Sequence, residues 1–318
     1  MKKNIPAKIL LLMNAVLFTI ILMELIFIGM EKITGKEFLY DKLITKKYYP
    51  YTNFFDEEIG WIKDDFKDIN KKYDSETILI LGDSISYGLC TNENFGKKIS
   101  DFLVKDEKNF SVVNTAMGGY NTLQEYLVFR RINFSPDIII LQVYANDIIP
   151  SLITINRSYG IDTFGSFDYE NKRKKLIVSL VEKSRFFRLA YWQILNYNIR
   201  KFRDNRTRYV EEQIPIVEKY FYKILDENRK YDAEIIIVFF PSMDTRYVGV
   251  NKELIGFLSD FTRKNNLFFV DLTEEYEKYD LKSDRLDCPE YDFNHPNEFG
   301  HELAAEKIYQ ILTANNLV

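Results

Sequence analysis

Glu76-Thr-Ile-Leu-Ile-Leu81, followed at once by Gly82-Asp83-Ser84, is the stretch on which the fold turns. Its aliphatic residues are continuous rather than alternating, the pattern of a strand buried on both faces as in a parallel sheet. Gly-Asp-Ser then supplies a turn. The same kind of run recurs at Phe110 to Val113, at Asp137-Ile-Ile-Ile-Leu-Gln-Val143, at Glu234-Ile-Ile-Ile-Val-Phe-Phe240 and at Leu267-Phe-Phe-Val-Asp271. Helical spacing fills the intervals. Phe95, Ile99, Phe102 and Leu103 share one face, and Leu123, Tyr126, Leu127 and Arg130 suggest the next helix. Ile214, Val217, Phe221 and Ile224 mark a helix over 210–229, with further helices over 251–264 and 298–312. Strands alternating with helices predict an α/β sandwich.

The composition agrees with a packed protein and narrows its class. Hydrophobic residues make up 46% of the 318, charged residues 28%, and there are only 13 Gly and 8 Pro. Such a chain is neither disordered nor collagen-like. A net charge of -4 argues against nucleic acid as a partner, which would call for a basic face. The two cysteines, Cys90 and Cys288, are too few for a disulfide scaffold and lack zinc spacing. There are two histidines, His295 and His301, so imidazole chemistry is confined to the C-terminal region.

The N-terminus reads as an anchor. Lys2, Lys3 and Lys8 precede an apolar run over 9–30. As a helix the run is about 33 Å long, enough for a hydrocarbon core of about 30 Å. Glu24 interrupts it. Fourteen Leu, Ile, Val or Phe residues in the run, at about -0.3 to -0.6 kcal/mol each, still outweigh one acid at roughly +3 kcal/mol. No small-residue cleavage site follows, so an uncleaved signal anchor is expected; a cleaved signal peptide and a buried soluble helix are the rivals. Lys32, Lys36, Lys42, Lys46 and Lys47 follow the run, so the charge count does not orient it. A short basic start before an apolar stretch resembles an export signal, which puts the bulk of the chain outside the cytoplasmic membrane. The expected organisation is a cytoplasmic basic tail (1–8), the anchor (9–30), a tether (31–74) and one domain (75–318). A helical insertion over about 150–232 interrupts that domain. Within it, Phe186, Leu189, Trp192, Leu195 and Ile199 step along one helical face.

Small polar clusters sit where strands end, which is where open α/β sheets place their sites. They are Asp83-Ser84, Gly118-Gly119, Asn146-Asp147 and, before the last helix, Asp292-Phe-Asn-His295. Each alone is an ordinary turn or cap. Together they contain the parts of an acyl-transfer site. A serine hydroxyl needs a base, and His295 is the best placed one for Ser84. Asp292, three residues earlier, can hold the imidazole's tautomer. The backbone N–H groups of Ser84 and Gly119 and the amide of Asn146 can supply oxyanion donors. Asp83 is expected to hold the turn as a hydrogen-bond acceptor. His295, Glu298 and His301 match neither common zinc motif, so no metal is expected, and His301 is expected as a partly exposed residue of the closing helix.

These blocks resemble the SGNH hydrolase family, or GDSL-type esterases and lipases. They stand as Gly82-Asp83-Ser84-Ile85-Ser86-Tyr87-Gly88, Asn114-Thr115-Ala116-Met117-Gly118-Gly119-Tyr120, Ala145-Asn146-Asp147 and Asp292-Phe293-Asn294-His295-Pro296-Asn297, in family order. Ala145 departs from the glycine usual before the Asn-Asp pair. The resemblance implies a three-layer α/β/α sandwich of flavodoxin-like type with a mainly parallel five-stranded sheet. It gives Ser84, Gly119, Asn146 and His295 the name-giving roles, with Asp292 as third triad member and Gly118 as rival for the glycine role. It implies no cofactor.

The expected activity is therefore a serine esterase that cleaves or transfers an O-acyl group, with a cell-surface carbohydrate or a lipid as acylated substrate. O-acyltransferase and lipase chemistry use the same site. A non-catalytic glycan-binding or assembly protein that keeps the fold is the alternative of another class. Cys90 and Cys288 flank the proposed site, and a disulfide and two free thiols are both open. The aromatic and basic segment from Arg185 to Arg208 is open as a core face, a substrate lid or a surface resting on anionic headgroups.

Overall fold

The computed structural model describes residues 7–35, 54–56, 59–63, 65–89, 91–148, 180, 183–191, 193–194, 206–242, 248–279, 287–288 and 292–318. The chain divides into two compact units. One comprises Met1–Pro50 and Leu152–Arg203, the other Tyr51–Ser151 and Asp204–Val318.

The first unit contains α1 (Ala7–Thr34), a single uninterrupted helix, and the helical residues 185–191. Most apolar side chains of α1 are exposed, among them Leu11, Leu12, Phe18 and Leu25. It is long and apolar enough to cross a membrane over Leu11–Thr34.

The second unit is built on the apolar runs. β3 (Glu76–Leu81), β4 (Phe110–Asn114), β5 (Ile138–Val143), β6 (Glu234–Phe239) and β7 (Phe268–Asp271) form one sheet in the order β4-β3-β5-β6-β7. Every neighbouring pair is parallel, with Ile80 opposite Ile140 and Ile140 opposite Ile236 in the middle of the sheet. All six residues of β5 are buried, as are the last five of β3 and of β6. Continuous burial explains why these strands are apolar without alternation.

Helices cover both faces. After β3 the chain passes through α3 (Ser84–Tyr87) and α4 (Phe95–Lys105) to β4 on one side. It then reverses direction through α5 (Thr122–Phe129) to β5 on the other side. Right-handed crossovers in opposite directions put the connecting helices on opposite faces. Accordingly α4 packs with α10 (Glu298–Ala314), whereas α5, α7 (Arg206–Asn228) and α8 (Val248–Asn265) form a separate packed group. The result is the mainly parallel, three-layer α/β/α architecture. α6 (Ala145–Ile148) and α9 (Thr273–Glu277) are short helices after β5 and β7.

Residues 54–73 hold structure that their mixed composition does not advertise. β1 (Phe54–Asp56) and β2 (Gly60–Ile62) form an antiparallel hairpin, and α2 (Phe66–Ile69) follows. Ile59 is fully buried, and its carbonyl accepts from Gln124 Nε2 at 2.8 Å. Lys63 Nζ donates to the Asn114 carbonyl at 3.1 Å, and Asn70 bonds the 131–133 loop through both ends of its amide. This part of the expected tether is packed against segments that flank the sheet.

Candidate active site

The order β4-β3-β5 makes β3 the point where the winding reverses, and crevices open beyond the carboxyl ends of strands at such a point. Residues 82–88 follow β3 there, and residues 144–148 follow β5.

The first turn is locked by a polar hub. Asp83 caps α3, its carboxylate accepting from Ile85 N–H at 2.8 Å. Gln142, the polar residue in the otherwise apolar β5, is fully buried. Its Oε1 accepts from Asp83 N–H at 3.1 Å and from Ser86 Oγ at 2.9 Å. Asn114, at the end of β4, donates from Nδ2 to the Ser86 carbonyl at 2.6 Å and accepts from Ala116 N–H at 3.0 Å. Gly88 ends the turn at φ +80, and a Cβ there would lie 2.6 Å from the Thr91 carbonyl. Only glycine meets both demands. Ser84 begins α3 and is nearly buried at 9% exposure.

The second block forms a turn closed by Tyr120 N–H donating to the Met117 carbonyl at 3.1 Å. Gly119 occupies its third position at φ +82, whereas Gly118 has no such positive φ. This left-handed backbone distinguishes the two glycines in a way their spacing does not.

The last block arrives on β9 (Asp292–Pro296), which pairs antiparallel with β8 (Asp287–Cys288). Asn297 then caps α10, accepting from Gly300 N–H at 3.0 Å, and Tyr276 Oη donates to the Gly300 carbonyl at 2.8 Å. The strand's end is thus fixed to a long helix, and it carries His295 to the Ser84 turn. His295 Nε2 lies 2.7 Å from Ser84 Oγ, across 211 residues of sequence. With its proton on Nδ1, this imidazole accepts the serine hydroxyl's hydrogen bond.

Asn146 lies on α6 and Asp292 on β9, so both segments are located, but their side chains fall outside the described residues. The same holds for Cys90 and for the side chain of Cys288, so the question of their pairing falls outside the described residues too. Among the described residues no group of three His, Cys, Asp or Glu is arranged to hold a metal ion.

Two buried titratable features escape the sequence. Glu125 is fully buried, and neither carboxylate oxygen has a hydrogen-bond partner. Burial first, then the negative charges of Asp147 and Asp83, hold its carboxyl well above the usual range. Asp147 is likewise raised, by burial and by Asp83, although Tyr144 N–H (2.9 Å) and Thr122 Oγ1 (3.1 Å) donate to it. Acids on the turns after β3 and β5 therefore share one buried region with an acid of α5. The signal for Gln142 was its polarity within an apolar run; Glu125 offered none. His301 corrects an expectation: it is 1% exposed and stacks on Phe95 with ring centroids 6.2 Å apart. Burial, His295 and Lys98 push its imidazole down to about 3. It is a neutral core residue because α10 turns that face onto α4.

Residues 78–308 match the GDSL-like lipase/acylhydrolase family. Similar solved structures include the acetyl xylan esterase AlAXEase, at 13% identity and a TM-score of 0.49, covering 74% of this chain and 99% of that one. A member of the lipolytic protein G-D-S-L family from Veillonella parvula DSM 2008 has 15% identity and a TM-score of 0.48, covering 75% and 99%. A lipase/acylhydrolase from Enterococcus faecalis has 16% identity and a TM-score of 0.44, covering 76% and 96%. No curated protein matches. The family match takes in almost the whole sheet and both partners of the Ser84–His295 pair: the chain belongs to the GDSL-like lipase/acylhydrolase family, the SGNH hydrolases, and is an ester hydrolase.

Proposed function

We propose that the chain is a membrane-tethered serine esterase that removes a small O-acyl group, such as acetyl, from a cell-surface carbohydrate. The observation that carries the serine mechanism is the 2.7 Å separation of His295 Nε2 and Ser84 Oγ. Ser84 Oγ attacks the acyl carbon while its proton passes to His295 Nε2. The carbonyl oxygen gains negative charge and is held by the N–H groups of Ser84 and Gly119 and by the Asn146 amide. The tetrahedral centre collapses, and the departing sugar oxygen takes the proton from His295. Water, activated by the same imidazole, then releases the acyl group from Ser84. Asp292 orients the imidazole and balances its transient charge. An acceptor hydroxyl in place of water would give acyl transfer by the same steps.

The surface setting rests on α1, the apolar helix before the catalytic unit. It is the membrane anchor, with the catalytic unit outside the cytoplasm. Exposed carbohydrate esters are the substrates such an enzyme meets.

The test uses the full chain in detergent with p-nitrophenyl acetate, then with acetylated xylan and acetylated peptidoglycan fragments. Ser84→Ala is expected to lower turnover at least about 10³-fold, since a triad acts as a unit. Wild type and Ser84→Ala of equal activity, or a wild type that resists active-serine phosphonates, would overturn the serine mechanism. Turnover of the nitrophenyl ester without any release of acetate from the carbohydrates would overturn the substrate class.

A further inference from the structure

Glu24 is the acid that interrupts the apolar helix α1, and it is not left to lipid. It accepts hydrogen bonds from the Ser184 hydroxyl and, at 3.0 Å, from the Phe186 backbone N–H. Two helical turns further on, Glu31 Oε2 accepts from Arg185 Nε at 2.9 Å and Nη2 at 2.7 Å. Arg188 Nη1 stands 3.6 Å from the other oxygen of Glu31. Between the acids, Phe27 is buried at 6% exposure, whereas Leu25, Ile26 and Met30 around it are exposed. Positions 24, 27 and 31 form one stripe of a helix, and its two acids hold Ser184, Arg185, Phe186 and Arg188 of the insertion.

The depth of this contact decides its meaning. If the span begins at Leu11, a rise of 1.5 Å per residue sets Glu24 about 20 Å and Glu31 about 30 Å along it. A hydrocarbon core of about 30 Å then places Glu31 at its outer boundary and Glu24 roughly 10 Å inside. Whatever satisfies Glu24 must reach that depth. The partner segment is suited to it: Phe186, Phe187, Leu189, Ala190, Tyr191 and Ile194 accompany the two arginines, a mixture typical of the membrane interface.

Resting on the view of α1 as membrane anchor, we propose that the helix over 185–191 of the insertion is bilayer-seated and, with Ser184 before it, clamped to α1 by Glu24 and Glu31. The lipid bilayer is the partner of its apolar side. The arginines are committed to the acids of α1, so seating does not depend on anionic headgroups. The catalytic unit is then joined to a two-part membrane module at residues 50–51, 151–152 and 203–204 rather than hung from one leash.

The test reconstitutes the full chain into vesicles of neutral phosphatidylcholine and follows amide hydrogen exchange over 185–191. Protection is expected in wild type, with exchange at least about tenfold faster in Glu24→Leu/Glu31→Leu, which strengthens α1 as a span but removes the clamp. In Trp61→Phe/Trp192→Phe/Phe187→Trp, the emission of the single tryptophan is expected to be quenched by chain-brominated phosphatidylcholine. Fast exchange in wild type, equal exchange in Glu24→Leu/Glu31→Leu, absence of quenching, or protection that appears only with phosphatidylglycerol would each overturn the clamp while α1 stays carbonate-resistant in the membrane. Release of the whole chain by carbonate would overturn the anchor and the clamp together.

Discussion

Gly82→Ala tests whether the Ser84 turn is as crowded as its contacts imply. A methyl group at position 82 would stand 2.6 Å from Gln142 Oε1 and 2.9 Å from Ser86 Cβ, and closer still to Ser86 Oγ. All are well inside van der Waals contact, so Gln142 has to retreat. It then loses the hydrogen bonds from Asp83 N–H and Ser86 Oγ. Each is worth about 1 kcal/mol net, and a buried N–H left without a partner costs about 1–3 kcal/mol. Overpacking adds about 1–3 kcal/mol. The entropic gain of replacing glycine, about 0.4–1 kcal/mol, is too small to offset these. The expected loss is about 2–5 kcal/mol in urea unfolding followed by far-UV circular dichroism. Because Asp83 carries Ser84, a displacement near 1 Å also lowers ester turnover by on the order of 10²-fold. Gly82→Ala/Ser86→Ala removes the hydroxyl contact but neither Gln142 nor the Cβ, so it regains at most part of both losses. A Gly82→Ala protein within about 0.5 kcal/mol of wild type and fully active would refute the crowding argument.

Gly119→Ala forces an L-residue into φ +82. A cost of about 1–2 kcal/mol and a fall in kcat larger than any change in KM are expected in nitrophenyl acetate kinetics; the same change at Gly118 spares the positive φ and is expected to have the smaller effect on stability. Glu125 is raised above its unfolded value, so the fold loses stability as pH climbs from about 4.5 through the folded value, by about 1.4 kcal/mol per pH unit for each proton released. Glu125→Gln keeps the shape of the protonated acid and is expected to flatten the fall of urea-derived stability with pH above about 4.5. His301 runs the other way: its folded value of about 3 lies below the unfolded 6.5, so its contribution is present above pH 6.5 and is lost as pH falls toward 3. His301→Leu is expected to remove one proton from the slope of stability against pH in that window, and an unchanged slope would show that another group is responsible.

The strands were legible because a parallel sheet sandwiched between helices buries both faces, so each run stands out as unbroken aliphatic sequence. The Ser84–His295 pair was legible because the segments that carry it hold chemistry that packing does not require. The hairpin over 54–62 was hidden: Phe54, Phe55 and Trp61 stand beside a run of acids in the sequence, and among the described side chains there Ile59 is the buried one. The helix over 122–129 misled in another way. Gln124 and Glu125 are buried while Leu123 is only half-buried, because Gln124 serves the Asn121 cap and the Ile59 carbonyl. His301 looked like a surface residue for want of a partner, but an uncharged imidazole stacks as any flat ring does. The pairing of Glu24 with Ser184 links positions 160 apart, and no local pattern encodes such a meeting.

The sheet's central seam, where Ile138 faces Glu234, imposes an order on synthesis. Strands β3, β4 and β5 emerge within one short span and can zip together early, whereas β6 is delayed until the whole of residues 144–233 has been made. In the interval β5 offers a bare aliphatic edge with unsatisfied amides, the template on which chains aggregate. A nascent polypeptide halted anywhere between residues 144 and 233 is consequently a hazard in the making, and escorting that edge past the ribosome becomes as much a requirement of this protein as the chemistry it performs.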